Sequence, residues 1–253
     1  MKLHEIQTIT PKDLKYKPVH QPIDRLHQEW TRARRRDGQL LGAGAFGHVY
    51  GYNKDPGTAE KISNPERVKS LSDDAYYLYL DMLSHNERMQ NNPFFPKVYS
   101  LKTWKDKIGR VMYDVKMEKL QPLNVLSSEQ IIVMGKRYFT NFENKFNAAL
   151  KREIQWKAYT RPRSDKPLSD SQKDMNEDAL KNAATRAIAS CLDESIKEGV
   201  TTHIKDSLLR QAMVLIRGIL IRKEDKMNDI HANNIMVRLS PSGPQLVITD
   251  PVC

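Results

Sequence analysis

The side chains best suited to chemistry form three groups, and the first is a glycine-rich run. The residues LGAGAFGHV at 41–49 satisfy the spacing GxGxxGxV. Glycines at this spacing let backbone amides approach the phosphates of a nucleotide, either in a hairpin or at the start of a helix. The residues that follow Gly47, at 48–51, read as an extended segment and not as a helix. The run therefore predicts a hairpin loop that could lie over phosphates.

A lysine follows the glycine run on the next predicted strand. Lys61 stands in the segment AEKI at 59–62. Residues two apart on a strand share one face, so Ala59 could line a flat base while the ammonium group neutralises phosphates. A single lysine is weak evidence for a phosphate-binding site in a chain with 41 lysines and arginines. Lys61 is a candidate phosphate-binding residue because of its position after the glycine run.

The third group combines two carboxylates and an amide near the C-terminal end. Asp229 and Asn234 occur in DIHANNIM at 229–236, and Asp250 occurs in ITDPV at 248–252. A carboxylate can accept the proton of an attacking hydroxyl, and oxygen ligands of this kind suit Mg²⁺. Isolated Asp and Asn residues in loops more often cap turns. The order of all three groups along the chain favours phosphoryl transfer.

The elements that would hold these residues change in character along the chain. Alternating apolar residues predict strands in the N-terminal part, together with one helix at 71–89, for which Ser72 and Asp73 are start signals. The predicted strands lie at 39–52, 58–62, 98–101, 111–117, 235–239 and 246–249, and helical periodicity covers 127–159 and 172–225 with a break at 160–167. The sequence thus predicts an α+β fold with a helical block and a terminal hairpin.

Composition limits the other classes of function. The chain has 253 residues, 39% of them hydrophobic, and a net charge of +10, which favours acidic partners. The basic residues are spread through helices without an aromatic platform, so nucleic acid is not expected to be the main ligand. The two cysteines, Cys191 and Cys253, predict no disulfide framework, and the apolar stretch at 212–221 is too short to span a membrane. We expect a cytoplasmic protein.

Together, the three groups resemble those of the protein-kinase-like superfamily, and most closely the serine/threonine protein kinases of T7-like bacteriophages. The resemblance covers about residues 39–120 and 215–253. It implies a two-lobed protein-kinase-like fold, with a basic arm at 1–38, a nucleotide-binding N-lobe at 39–118 and a helical C-lobe at 119–253. It further implies ATP and Mg²⁺ as cofactors and a serine or threonine of a protein as acceptor, in the host cytoplasm if a phage encodes the chain.

The resemblance also implies roles for single residues. The catalytic residues would be Asp229 as base, Lys61 at the phosphates and His231 as a donor to the γ-phosphate, with Asn234 and Asp250 as metal ligands. The nucleotide-binding residues would be Gly42, Ala43, Gly44, Gly47, Val49, Ala59, Lys61, Asp74, Met117, Glu118 and Leu120. Asp74 is chosen as the helix partner of Lys61, where kinases usually have a glutamate, and its alternative role is a charge at the helix start. For His231 the alternative is a packed or solvated side chain.

Several departures from protein kinases keep other functions open. Met227 and Asn228 replace the usual His and Arg, and Pro251 and Val252 replace Phe and Gly. Only three residues follow Asp250. Either the expected fold lacks an activation segment and the later helices, and the helical block at 127–225 could hold the substrate, or the chain is a fragment of a longer protein.

These departures leave two rival functions. A small-molecule kinase of the aminoglycoside or choline type is favoured by His231 and the missing activation segment. A pseudokinase binding module should have lost catalytic residues, and none is lost.

Overall fold

The structure, a computed structural model, is an α+β arrangement of antiparallel sheets and helices. It describes residues 38–44, 47–52, 54–63, 71, 74–105, 111–160, 171–199, 201–222 and 229–251. Residues 1–37, nearly all of the predicted basic arm, lie outside the described part, and so do Met227, Asn228 and Val252.

A five-stranded antiparallel sheet forms the N-terminal part. Its strands are β1 (Gly38–Gly44), β2 (Gly47–Tyr52), β3 (Asp55–Ser63), β4 (Val98–Lys105) and β5 (Val111–Glu118), in the order β1-β2-β3-β5-β4. Every strand that the sequence predicts before residue 118 is present, and the predicted antiparallel pairing of the segments at 98–101 and 111–117 is confirmed. Alternation in β5 buries Tyr113, Val115 and Met117 on the same face of the sheet.

The helix predicted at 71–89 forms as two helices, α1 (Ala75–His85) and α2 (Glu87–Gln90). The break is at Asn86, whose backbone N–H donates to the Met82 carbonyl and ends α1. The Asn86 side chain accepts hydrogen bonds from the backbone N–H groups of Arg88 and Met89, and so begins α2. The helix starts after Asp74, while Ser72 and Asp73 lie outside the described residues.

Aromatic side chains join α1 to the sheet. Tyr76 and Tyr79 of α1 are buried, and the centroid of the Tyr76 ring lies 6.4 Å from that of Tyr113 on β5. Tyr79 meets Phe95 edge to face at 5.9 Å. Rings of this size dominate the burial of apolar area in a core, so these contacts fix α1 against the sheet.

Four further helices form the predicted helical block. They are α3 (Ser128–Tyr138), α4 (Phe142–Thr160), α5 (Ser171–Glu198) and α6 (Ser207–Arg222). The predicted helical character is confirmed where residues 127–159 and 172–222 are described, except for the connections between the helices, and residues 223–225 lie outside the described part. Of the break predicted at 160–167, Thr160 ends α4 and residues 161–167 lie outside the described part. A capping box of Ser127 and Gln130 begins α3. None of the described helices carries an apolar stretch long enough to cross a membrane.

The terminal hairpin belongs to a second, three-stranded sheet. Its strands β6 (Gln121–Pro122), β7 (Ile235–Ser240) and β8 (Gly243–Ile248) are antiparallel and lie in sequence order. The hydroxyl of Tyr79 donates to the Ile248 carbonyl at 2.7 Å, and the Ile248 N–H donates to the Phe94 carbonyl at 2.8 Å. Through these bonds α1 and the segment after α2 hold the end of β8, just before Asp250.

Candidate active site

The glycine motif lies where β1 turns into β2. Gly42 pairs with Val49 and Gly44 pairs with Gly47, so the motif opens a hairpin and not a helix, as predicted. Ala43 lies between these pairs on β1, whereas Ala45 and Phe46 of the motif lie outside the described residues. A Cβ at Gly47 would overlap the carbonyl oxygen of Ile62 on β3, so glycine is required there by the close approach of two strands.

The neighbouring strands bring Lys61 into line with the predicted base-binding residues. Lys61 pairs with Val49 on β2 and with Val115 on β5, and Ala59 pairs with Met117 on β5. Ala59 and Met117 are both buried. Since residues two apart on a strand share a face, Ala59 and Met117 lie on the same face of the sheet as Lys61.

Lys61 makes its charged contact with Asp250, 189 residues later in the sequence. The Lys61 ammonium nitrogen lies 2.6 Å from Asp250 Oδ2, and the two side chains are 12% and 26% exposed. The same nitrogen lies 3.7 Å from the centroid of the Tyr76 ring. Sequence reasoning missed Tyr76, because a tyrosine at the start of a helix reads as an ordinary core residue.

Asp74 takes its alternative role as a helix cap. Its Oδ1 accepts a hydrogen bond from the Tyr77 N–H at 2.8 Å, which makes Asp74 the N-cap of α1. Its charge still acts on the site, since it is among the causes that raise the pKa of Asp250 and of Tyr76, after burial in each case.

Neighbouring carboxylates give the site an excess of negative charge, and burial makes that charge more costly. Burial raises the pKa of Asp250 above its ordinary value, Lys61 opposes this, and the charges of Asp229 and Asp74 raise the pKa further. Burial, and then the charge of Asp250, also raises the pKa of Tyr76 well above its usual range. Crowded anions of this kind favour a bound cation, because a cation relieves their mutual repulsion.

Main-chain bonds bring Asp229, Asn234 and the segment around Asp250 together. The Asp229 N–H donates to the Pro251 carbonyl at 3.1 Å, and the Thr249 N–H donates to the Asn234 carbonyl at 3.0 Å. The Asn234 amide Nδ2 donates to the Asp229 carbonyl at 2.8 Å and to Asp229 Oδ2 at 3.1 Å. The structure thus unites the carboxylates and the amide that the sequence predicts at one site.

His231 lies beside Asp229 with half of its side chain exposed. Its Nδ1 lies 3.2 Å from the Asn233 backbone N–H, and its Nε2 lies 3.1 Å from the Asn234 amide Nδ2. Nε2 lies 3.5 Å from Asp229 Oδ1. His231 is therefore a half-exposed side chain at the edge of the site, and its role as a donor to the γ-phosphate stays a prediction.

Glu118, one of the predicted nucleotide-binding residues, is held by Arg238, which the sequence did not single out. Arg238 of β7 donates from Nε to Glu118 Oε2 at 2.9 Å, and its NH2 group contacts the other Glu118 carboxylate oxygen. The same guanidinium donates to the carbonyls of Pro93 at 2.8 Å and Phe95 at 3.0 Å. On its predicted strand, Arg238 lies between the apolar residues Val237 and Leu239. A single charge among apolar residues was the feature of the sequence that could have indicated an ionic partner for Arg238.

The donor atoms fit a cation that is shared with phosphates. Among the described residues, no three His, Cys, Asp or Glu side chains are grouped as a metal site. Mg²⁺, however, commonly takes one or two protein carboxylates and completes its shell with phosphate oxygens and water. Asp250 would supply the carboxylate, and because Asn234 Nδ2 donates to Asp229, its amide Oδ1 would be the atom suited to a cation.

No protein-family model matches the chain, and no curated protein is significantly similar to it. Function must therefore be inferred from the chemistry of the side chains that the fold brings together.

Proposed function

We propose that this chain is an ATP- and Mg²⁺-dependent phosphotransferase with a two-lobed, protein-kinase-like fold. The first acceptor that we propose is a serine or threonine hydroxyl of a protein in the cytoplasm. The observation that carries the proposal is the contact of Lys61 with Asp250 at 2.6 Å beside the glycine hairpin. Transfer of a γ-phosphoryl group requires a cation near the phosphates and a carboxylate for the metal, and these are the two groups in contact.

The two lobes correspond to the two sheets and their helices. The first would comprise the five-stranded sheet with α1, and the second would comprise the helical block with the three-stranded sheet. The nucleotide would then lie between β1, β2 and β3 on one side and β7 and β8 on the other. Leu120, which follows β5, and Glu118, at its end, would supply backbone groups to adenine.

Each side chain has a separate task in this reaction. Asp229, held by Asn234 and by the Pro251 carbonyl, would orient the attacking hydroxyl and accept its proton. Lys61 would bind phosphate oxygens, and its positive charge would stabilise the charge of the transferring group. Asp250 and Asn234 would hold Mg²⁺, which supplies charge neutralisation at the phosphates when bound. Positioning and electrostatics together account for most catalysis of this kind.

The test is incubation of the purified protein with γ-labelled ATP and Mg²⁺, alone and with a bacterial lysate. We expect labelled protein bands with the unaltered chain. Asp229→Ala should lower turnover by about 10²- to 10⁴-fold, the usual contribution of a general base, and leave Mg·ATP binding nearly unchanged. Asp178→Asn is a matched control, because Asp178 is exposed on α5 and outside the site.

The outcomes separate the proposal from its rivals. Turnover that persists in Asp229→Ala would reject the role of Asp229. Labelled metabolites without labelled protein would indicate a small-molecule kinase, for which His231 at the edge of the site is the supporting observation. Mg·ATP binding without transfer to any acceptor would indicate a pseudokinase, and a failure to bind Mg·ATP would reject the proposed function altogether.

A further inference from the structure

The ammonium group of Lys61 has an aromatic partner in addition to Asp250. Its nitrogen lies 3.7 Å from the centroid of the Tyr76 ring, well inside the range of about 6 Å at which a cation is attracted to an aromatic face. Tyr76 is 5% exposed. Its ring is held by the rings of Tyr79 and Tyr113, with centroids at 6.1 and 6.4 Å. The aromatic face is therefore presented to Lys61 by a fixed part of the core.

The start of α1 sets the position of this ring. Tyr76 is the second residue of the helix, and Asp74 caps that first turn by accepting the Tyr77 N–H. One turn further along, the hydroxyl of Tyr79 donates to the Ile248 carbonyl at 2.7 Å, two residues before Asp250. A single helix thus contacts both the lysine and the strand that leads to its carboxylate partner.

An aromatic ring suits this place better than another carboxylate would. Asp229 and Asp74 already act on Asp250 with their negative charges, and a further carboxylate would add to that repulsion. The face of an aromatic ring attracts a cation without adding net charge. A ring can therefore orient Lys61 without adding negative charge that would repel the phosphates of a nucleotide.

We propose that Tyr76 is a positioning residue for Lys61, whose ring holds the ammonium group where phosphate oxygens would bind. This inference rests on the proposed function, and it names the residue that takes the part expected of a helix carboxylate. When a nucleotide and its cation bind, Asp250 would hold the cation in exchange for Lys61. The Tyr76 ring does not compete for that cation, so it retains Lys61 throughout the exchange.

The test compares the Lys61 side chain in four proteins by NMR, with ¹³C-labelled lysine and without nucleotide. The Lys61 ε-methylene signal is assigned by its loss in Lys61→Arg. In the unaltered protein and in Tyr76→Phe, which keeps the ring, we expect this signal to lie upfield of the other lysines because the ring current shields it. In Tyr76→Leu we expect the shift to be lost. Tyr77→Leu is the matched control, since Tyr77 is 6% exposed on the same helix and faces Tyr113.

Affinity for Mg·ATP is the second measurement. Cation–π contacts of this type correspond to a loss of about 2- to 30-fold in affinity when the ring is removed. We expect this loss in Tyr76→Leu, and not in Tyr76→Phe or Tyr77→Leu. A purely structural role for Tyr76 would instead make the two leucine variants alike.

Three results in these two measurements would overturn the inference even in a protein that binds Mg·ATP. They are an unshifted Lys61 signal in the unaltered protein, a shift that persists in Tyr76→Leu, and equal losses of affinity in the two leucine variants. If Tyr76→Leu does not fold, the unaltered protein and Tyr76→Phe still decide, because an unshifted signal in either contradicts the ring contact.

The measurements also separate this inference from the proposed function. A ring-shifted Lys61 with ring-dependent Mg·ATP binding but no phosphoryl transfer would uphold the role of Tyr76 and reject the enzyme. Phosphoryl transfer together with wild-type affinity for Mg·ATP in Tyr76→Leu would uphold the enzyme and reject the role of Tyr76. A protein that binds no Mg·ATP would overturn both.

Discussion

Replacement of Arg238 by methionine tests whether the guanidinium holds the two sheets together at Glu118, one of the predicted nucleotide-binding residues. Arg238 of β7 bonds both carboxylate oxygens of Glu118, at the end of β5, and the carbonyls of Pro93 and Phe95. Methionine keeps most of the apolar stem and removes every one of these bonds. The Glu118 carboxylate would then be left with the Lys97 N–H, at 3.0 Å, as a remaining donor.

The size of the expected loss of stability follows from the burial of the Arg238–Glu118 ion pair. Removing one partner of a buried ion pair costs about 3–5 kcal/mol, because the other charge stays desolvated. The Glu118 side chain is 11% exposed and the Arg238 side chain 22%, and the Lys97 N–H keeps part of the compensation. We therefore expect the free energy of unfolding to fall by about 2–4 kcal/mol, somewhat below the range for a fully buried pair.

The assay is urea unfolding of Arg238→Met, Glu118→Gln and the double variant. Because the two groups contact each other, the double variant should be less destabilised than the sum of the single variants, by about 0.5–3 kcal/mol. Lys116→Met is the matched control on β5. Lys116 and Asp55 form an ion pair at 3.1 Å with side chains 45% and 47% exposed, and such surface pairs contribute about 0–1 kcal/mol. A loss below about 1 kcal/mol for Arg238→Met, or strict additivity, would refute the reasoning.

Three further predictions concern single positions. Gly47→Ala should lower the free energy of unfolding by about 1–3 kcal/mol, because its Cβ overlaps β3, whereas Gly57→Ala, where a Cβ meets nothing within 4 Å, should not. Asp74→Ala should lower the free energy of unfolding by about 0.5–2 kcal/mol through loss of the helix cap, whereas Asp74→Ser should not. If both variants instead lose Mg·ATP affinity equally, Asp74 is assigned as a partner of Lys61. Burial, and then Glu60, raises the pKa of Asp114 to about 8; the folded state thus retains a proton that the unfolded state loses near pH 4, and stability should fall as pH rises to about 8. Urea unfolding should show a slope of up to about 1.4 kcal/mol per pH unit that Asp114→Asn lacks, and equal slopes would exclude the raised pKa.

The elements around the candidate site could be predicted because their signals are local. Gly47 and the extended residues after it distinguish a hairpin from a helix, and the structure pairs Gly44 with Gly47 in that hairpin. The alternation in β5 and the turn between β7 and β8 are local in the same way. The helix break at Asn86 was missed, since a residue that ends one helix and caps the next leaves the apolar periodicity nearly unchanged.

The partners within the site could not be predicted, because they depend on contacts between distant segments. Lys61 and Asp250 are 189 residues apart, and Arg238 and Glu118 are 120 apart. A motif assigns the type of side chain that a site needs, but the packing of α1 decides which group reaches it. For this reason Asp74, chosen by analogy with a helix glutamate, caps the helix, and Tyr76 meets the lysine.

The position of Asp250 is set from outside its own hairpin. Both backbone polar groups of Ile248 are bonded to the N-terminal part, the carbonyl to the Tyr79 hydroxyl and the N–H to the Phe94 carbonyl. Arg238 bonds the carbonyls of Pro93 and Phe95, on either side of the same point. The segment around Phe94 therefore fixes β7 and β8 relative to α1. A substitution that loosens this segment should separate Lys61 from Asp250 without altering either residue, because α1 and β8 would lose their common support.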